Sequence, residues 1–262
     1  SEAGTNSNNG PLFGRQTRFM DHFIRGENIA LAISKQDSAA TGALIVQNIA
    51  GHKVYGAYDI NYLFPLYLYP SEDELDQTRR VNFDEKLFGK LRTLAKHPAH
   101  GEPDEVAVFD YIYGTLHAPN YQKTYAEHLK TDFPRIPWPT SPEVFWAVSG
   151  KGRDLRRLHL MESGATGETP FPFIGDGDNV VRGPKFEDSR IWINESQFFD
   201  AVPSVAWDFP IGGYRPAQRW LKDRKDRTLS FDEVRHYQCI LKILSETDRI
   251  TKTIDMPLKD AN

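Results

Sequence analysis

Cysteine is almost absent from this 262-residue chain: Cys239 stands alone. That excludes an internal disulfide and an all-cysteine metal site, and it fits a reducing cytoplasm. Long apolar runs are missing as well, none approaching the roughly 18 residues that a membrane-crossing helix needs. No charged-then-apolar leader opens the sequence, so secretion is not expected. Nor is there a large excess of one charge: 32 Lys and Arg face 36 Asp and Glu, for a net charge of −4. A uniformly basic nucleic-acid binder would not look like this, so any contact with DNA or RNA must be local.

The usual signatures of catalysis are missing too. There is no phosphate loop ending in Gly-Lys-Ser/Thr, no zinc helix of the His-Glu-x-x-His type and no Gly-x-Ser-x-Gly elbow. Gly175-Asp176-Gly177 is a G-x-G, but it lacks a third glycine and a helical pattern after it. Asp176, Asp178 and Asn179 do not have the spacing of a calcium loop and read as a polar surface turn. Of eight histidines only His97 and His100 lie close together, in a proline-rich helix terminus with no further ligand nearby. No catalytic residue, metal site or cofactor is expected in this chain.

What is present is a change of period along the chain. Ser1–Gly10 is small and polar and reads as a tag remnant or disordered leader. Ile29–Ile33, Leu44–Val46 and Tyr62–Tyr69 are strand-like, and Pro65 puts the last at a sheet edge or bulge. Phe83, Leu87, Leu91 and Leu94 then form a helical stripe, and Val106–Leu116 marks a second helix. Pro119 opens a third, with Tyr121, Tyr125 and Leu129 on one face. Phe133–Pro139 cannot be helical, because each residue before a proline is held extended. Ser141-Pro142-Glu143 starts a helix reaching about His159, weakened in its middle by Gly150 and Gly152. A glycine- and proline-rich connection, 164–184, leads to strand character at Arg190–Asn194 and Ser204–Ile211. Ser230 and Glu233 form a capping box ahead of a long helix ending near Ile254.

Strands, helices, strands, helix is the order of an α+β fold: a mixed β-rich lobe (about 11–80 and 165–213), packed helices (about 82–162 and 214–255) and a long C-terminal helix.

The densest charge feature is Tyr214–Arg227. It holds six basic residues, Arg215, Arg219, Lys222, Arg224, Lys225 and Arg227, against Asp223 and Asp226, a local net charge of +4 on an acidic chain. Such asymmetry suits a phosphate-contacting surface, with Gly212-Gly213 allowing close approach. It also suits an ordinary solvated helix and loop with Trp220 and Leu221 in the core. Arg15–Arg18 is a weaker candidate of the same kind.

Asp110–Tyr121 (DYIYGTLHAPNY), continuing through Tyr125-Ala126-Glu127 to Leu129–Pro137, resembles a hallmark of type ISP restriction–modification enzymes, in their C-terminal specificity region. A second hallmark matches Gly212-Gly213-Tyr214, Trp220–Lys225, Thr228-Leu229-Ser230 and His236-Tyr237. Asn28–Leu31, Ser34-Lys35-Gln36 and Phe64–Pro70 resemble the opening of that region, so the likeness covers nearly all of 15–254.

The resemblance implies a target-recognition domain over 11–262 that holds double-stranded DNA. An adjoining methyltransferase domain, in cis or trans, would flip out an adenine and methylate it from S-adenosylmethionine. The catalytic Asn/Asp-Pro-Pro-Tyr/Phe motif of that domain is missing here. This chain is therefore expected to be cytoplasmic, not an enzyme by itself and without S-adenosylmethionine of its own. Motifs shared by enzymes that read different sequences cannot encode the sequence read, so the Trp220–Arg227 stretch is expected to be phosphate contact or scaffold, with the six cations assigned to phosphates. Base readout is expected from Ser34–Tyr58 and Gly164–Arg190, with Lys35, Gln36, Gln47, Asn48 and Lys53 suited to base edges. The alternative is a protein-interaction module that docks onto a methyltransferase or motor domain, with DNA contact minor.

Overall fold

The computed structural model describes residues 17–34, 43–47 and 61–258. A short helix, α1 (Thr17–Ile24), precedes an antiparallel sheet in the order β2-β1-β3, formed by β1 (Ala30–Ser34), β2 (Leu44–Val46) and β3 (Asn61–Pro65). Sequence patterning had not indicated α1. Pro65 lies at the end of an edge strand, as its missing N–H requires. A two-stranded ribbon follows, β4 (Tyr67–Leu68) with β5 (Arg80–Val81). Next come α2 (Glu85–Leu94), α3 (Glu105–His117), α4 (Pro119–Thr124), α5 (Ala126–Leu129) and α6 (Pro142–His159). The second sheet has the order β6-β9-β8-β7, from β6 (Phe173–Ile174), β7 (Lys185–Glu187), β8 (Arg190–Trp192) and β9 (Phe198–Phe199). Then α7 (Ser204–Asp208), α8 (Pro216–Lys222) and α9 (Phe231–Thr251) complete the chain. The α+β expectation holds, long C-terminal helix included.

Four details differ from the sequence reading. Ser204–Asp208 is helical, because a short apolar run carries no decisive period and Ala206 finds burial beside α9. Between the two stretches read as strands lies a strand the sequence reading did not include, β9. The helix expected from Pro119 breaks at Tyr125, which has non-helical backbone angles and caps α4. Of the stripe on α2, only Leu91 is buried; Leu87 and Leu94 face outward.

α6 runs unbroken through Gly150 and Gly152, and the reason lies in its partner. α3 and α6 cross so closely that a Cβ on Gly152 would lie 1.8 Å from the Asp110 carbonyl oxygen, and one on Gly114 would lie 2.5 Å from that of Val148. The crossing is locked by a buried ion pair, Arg156 Nε donating to Asp110 Oδ1 at 2.7 Å and Nη2 to Oδ2 at 3.2 Å. Burial pushes the Asp110 carboxyl up while Arg156 pulls it down, and burial prevails.

Buried apolar side chains form two clusters. The first gathers the β2-β1-β3 sheet with α3 and α6; the second gathers the β6-β9-β8-β7 sheet with α7 and α8. α9 belongs to both, giving Val234, Tyr237, Leu241 and Leu244 to the second and Ile250 to the first. Where α3, α6 and α9 meet, a cleft of about 470 Å³ is walled by Tyr113, His117, His159 and Thr247. The Tyr113 hydroxyl donates to His159 Nδ1 at 2.6 Å, and His159 Nε2–H donates to Thr247 Oγ1 at 2.8 Å. The Thr247 hydroxyl donates its own hydrogen bond to the Ile243 carbonyl at 2.7 Å, which fixes the neutral tautomer of His159. Burial lowers His159 to about 3 and His117 to about 4.

Unfolded, both rings would titrate near 6.5. Their contribution to stability is therefore complete above that pH and is lost as the pH falls from about 6.5 towards about 4 for His117 and about 3 for His159. Each ring should cost about 2 kcal/mol by pH 5 relative to pH 7. Urea midpoints at the two pH values check this; equal midpoints would exclude it.

Candidate nucleic-acid interface

The basic stretch begins at a tight turn in which Ile211 pairs with Tyr214 and Gly212 takes a left-handed φ of 57°. Pro216, with φ already helical and no N–H to lose, starts α8. α8 buries Ala217 and Leu221 in the second cluster and leaves Arg219 and Lys222 outward. Beyond its end, residues 223–229 form a loop with little apolar content of its own. It is held by a backbone ladder to 179–181: Val181 N–H donates to Arg227 O at 3.0 Å, Asp226 N–H to Val181 O at 3.0 Å, and Leu229 N–H to Asn179 O at 2.9 Å.

That ladder is itself anchored. Gln197 is 2% exposed. Its Oε1 accepts from Asn179 N–H at 2.9 Å and from Asn194 Nδ2 at 3.0 Å, and its Nε2 donates to Asn179 Oδ1 at 2.6 Å. Gly175 has a φ of 106°, and a Cβ there would lie 2.0 Å from the Ser196 carbonyl oxygen. The G-x-G stretch is thus a surface turn shaped by backbone contact.

The six cations of the sequence reading lie on one continuous segment, but their environments differ. Arg215 reaches Asp208 at 3.4 Å, Arg219 reaches Asp223 at 2.9 Å, and Arg227 reaches Glu233 at 3.3 Å. All three are more than half exposed, and such pairs contribute at most about 1 kcal/mol, so they can exchange a carboxylate for another anion. Arg224 departs from the expectation of phosphate contact. It is mostly covered, lies 3.6 Å over the Trp220 ring, and bonds both Glu233 and the Trp220 carbonyl. Its guanidinium holds the loop to α9. Lys222 and Lys225 are exposed and have no carboxylate partner among the described residues. Counting Asp208 and Glu233, which the fold brings in, halves the excess of +4 read from the sequence. The Glu233 carboxyl is held below its ordinary range by the Ser230 amide and by Arg224 and Arg227.

Of the residues suited to base edges, Gln47 is exposed at the end of β2. Lys35, Gln36, Asn48 and Lys53 lie outside the described residues, as do Arg15 and Gln16. His97 packs against His100, which stacks on Trp146, with ring centroids 4.9 and 4.8 Å apart. Among the described residues no group of three or more His, Cys, Asp or Glu is placed to hold a metal. No helix of the described residues is long and apolar enough to cross a membrane.

Sequence reasoning missed Arg182. It follows the ladder strand directly, and its guanidinium is gripped by Asp178, Nη1 to Oδ1 at 3.0 Å and Nη2 to Oδ2 at 2.6 Å. This pairing holds the Asp178 carboxyl at about 2. The i,i+4 spacing was legible; the proximity to Asp226 and the basic loop was not.

Comparison with known proteins gives three kinds of result. A family model described as the Type ISP C-terminal specificity domain matches residues 9–253. No curated protein matches. Among solved structures, a cryoEM structure of a DrdV–DNA complex aligns with a TM-score of 0.68 at 19% identity, over 89% of this chain and 25% of that one. The ATP-dependent Type ISP restriction-modification enzyme LlaBIII, bound to DNA, aligns with a TM-score of 0.66 at 18% identity, over 89% and 16%. A nuclease-deletion mutant of the Type ISP enzyme LlaGI, in complex with a DNA substrate mimic, gives 0.62 at 20%, over 90% and 22%. These identities show a shared fold, and this chain spans a quarter or less of each of those proteins.

Proposed function

The chain belongs to the family of Type ISP C-terminal specificity domains, and from that premise we propose that it is the module by which a restriction–modification enzyme holds and recognises its double-stranded DNA target. In this reading it has no catalytic centre of its own. Methylation falls to an adenine methyltransferase domain, in cis or in trans, which binds S-adenosylmethionine. Both act in the cytoplasm. The observation that carries the reading is the end of α8 with the loop after it, the loop fixed by a backbone ladder, where Lys222 and Lys225 stand outward without a carboxylate partner among the described residues. Arg215, Arg219 and Arg227 flank it, able to trade their carboxylates for phosphates. Arg224 supports the loop from behind.

Duplex binding should fall steeply with salt, because each neutralised phosphate releases counterions. The double variant Lys222→Glu, Lys225→Glu should weaken all duplexes alike and reduce the slope of log K against log salt by about two units. Both side chains are exposed, so the thermal midpoint should stay in place. Fluorescence anisotropy across a salt series measures this, and an unchanged slope removes the two lysines from the interface.

A second reading, a module that docks onto protein, is favoured by several large apolar side chains left exposed between β3 and the segment after α5. Leu87, at 57% exposed, Leu94, Trp138, Phe64 and Tyr62 all lie outward. The same titration separates the two, since a docking module with minor DNA contact would bind duplexes weakly, with a slope that the double variant leaves unchanged.

A further inference from the structure

We propose that Arg182 reads a guanine in the major groove, as a specificity-determining residue of the interface above; the inference rests on the DNA-recognition reading. The argument begins with donors. A guanidinium carries five N–H groups in one plane. Asp178 takes one from Nη1 and one from Nη2 at 3.0 and 2.6 Å, an end-on fork that orients the plane, unlike the pairs of Arg215, Arg219 and Arg227, which each reach a carboxylate through one nitrogen. What remains free includes Nε–H and an Nη N–H on the side edge, a parallel pair. That pair matches the O6 and N7 acceptors that only guanine presents together in the major groove. The side chain is 54% exposed, and its guanidinium makes no hydrogen bond other than the two to Asp178 among the described residues.

Rigidity is the second part. A side chain that discriminates bases must be held to within a fraction of an ångström. Arg182 sits one residue beyond Val181, which the ladder ties on both sides to the 225–229 loop, and its own N–H donates to Ile193 O at 2.6 Å. The adjacent turn is fixed by the Gln197 amide network. Asp178 is oriented in turn, its Oδ1 accepting from Val180 N–H at 3.1 Å. Guanidinium, buttress and backbone therefore form one preassembled unit. The third part is position: the unit is laddered to the loop that carries Lys225 and Arg227, and Asp226 of that loop is near enough to act on Arg182 electrostatically. Phosphate-gripping cations on one strand of a ladder and a buttressed arginine on the other is the division of labour expected between holding and reading.

The test is selection of bound duplexes from a random pool at low salt, with the full chain and with Arg182→Ala and Arg182→Lys. The lysine variant keeps the charge and loses the fork, and it serves if the alanine variant folds poorly. The unsubstituted chain should select a site with at least one fixed guanine. Both variants should lose that guanine alone, by about tenfold in preference, and keep every other selected position. The lysine variant should keep the salt slope unchanged. A duplex with 7-deazaguanine there should bind about tenfold more weakly to the unsubstituted chain and no differently to either variant. Variants that select the same site at every position overturn the proposal. So does a loss spread evenly over all sequences with a slope reduced by one, which would make Arg182 a phosphate contact. If the unsubstituted chain selects nothing, the DNA-recognition reading beneath fails instead.

Discussion

Replacing Gly152 with alanine should destabilise the protein by about 4 kcal/mol or more, among the largest effects of any single substitution. The new Cβ would sit 1.8 Å from the Asp110 carbonyl oxygen and 2.7 Å from its carbonyl carbon, and both atoms are backbone. Neither can swing aside, so α3 and α6 must separate. The cost falls on the buried cluster that both helices share, which includes Phe109, Tyr111, Val148 and Leu155, all nearly solvent-free. Gly150 supplies the control. It lies two residues away in the same helix with nothing within 4 Å of its would-be Cβ. Gly150→Ala should stabilise by about 0.5–1 kcal/mol through helix propensity alone. Urea denaturation of the two variants should move their midpoints in opposite directions. Midpoints that move together would show that the crossing does not set the sign.

Asp110→Ala should cost about 3 kcal/mol or more. The Asp110 and Arg156 side chains are 3% and 13% exposed, so truncating the carboxylate strands a covered guanidinium with only Glu162, at 3.1 Å, to answer it. Most of the penalty comes from the charge left behind rather than from the pair itself. The double variant Asp110→Leu, Arg156→Met removes both charges and keeps apolar bulk, and it should recover much of the loss. A double-mutant cycle on unfolding free energies measures the difference. A single variant costing under about 1 kcal/mol would show that water already reaches the pair.

The candidate site divides along the same line between what a sequence displays and what folding arranges. The run of cations from Arg215 to Arg227 was plain to read, as was the capping box that starts α9 and places Glu233 nearby. Their inequality was not. Arg224 and Arg227 are three residues apart in the chain, yet one is held over Trp220 against α9 and the other is exposed. Only a neighbour from another element can make that distinction. Gly175 and Gly177 looked like an incomplete cofactor loop; the backbone at Ser196 and the Gln197 side chain are what require glycine there.

Local periodicity and capping chemistry by themselves determined most helices, the β2-β1-β3 strands and the α+β order, because these depend on residues within a few positions of one another. The long motifs likewise fixed the family. Packing alone decided that Ser204–Asp208 is helical, that of the two glycines in α6 only Gly152 is required by the crossing with α3, and that of six cations two stand free and one is a brace. Those outcomes depend on atoms far apart in the chain meeting within a few ångströms: Gly152 on Asp110, Arg224 on Glu233, Val181 on Arg227. Such distances come into being only when the chain closes.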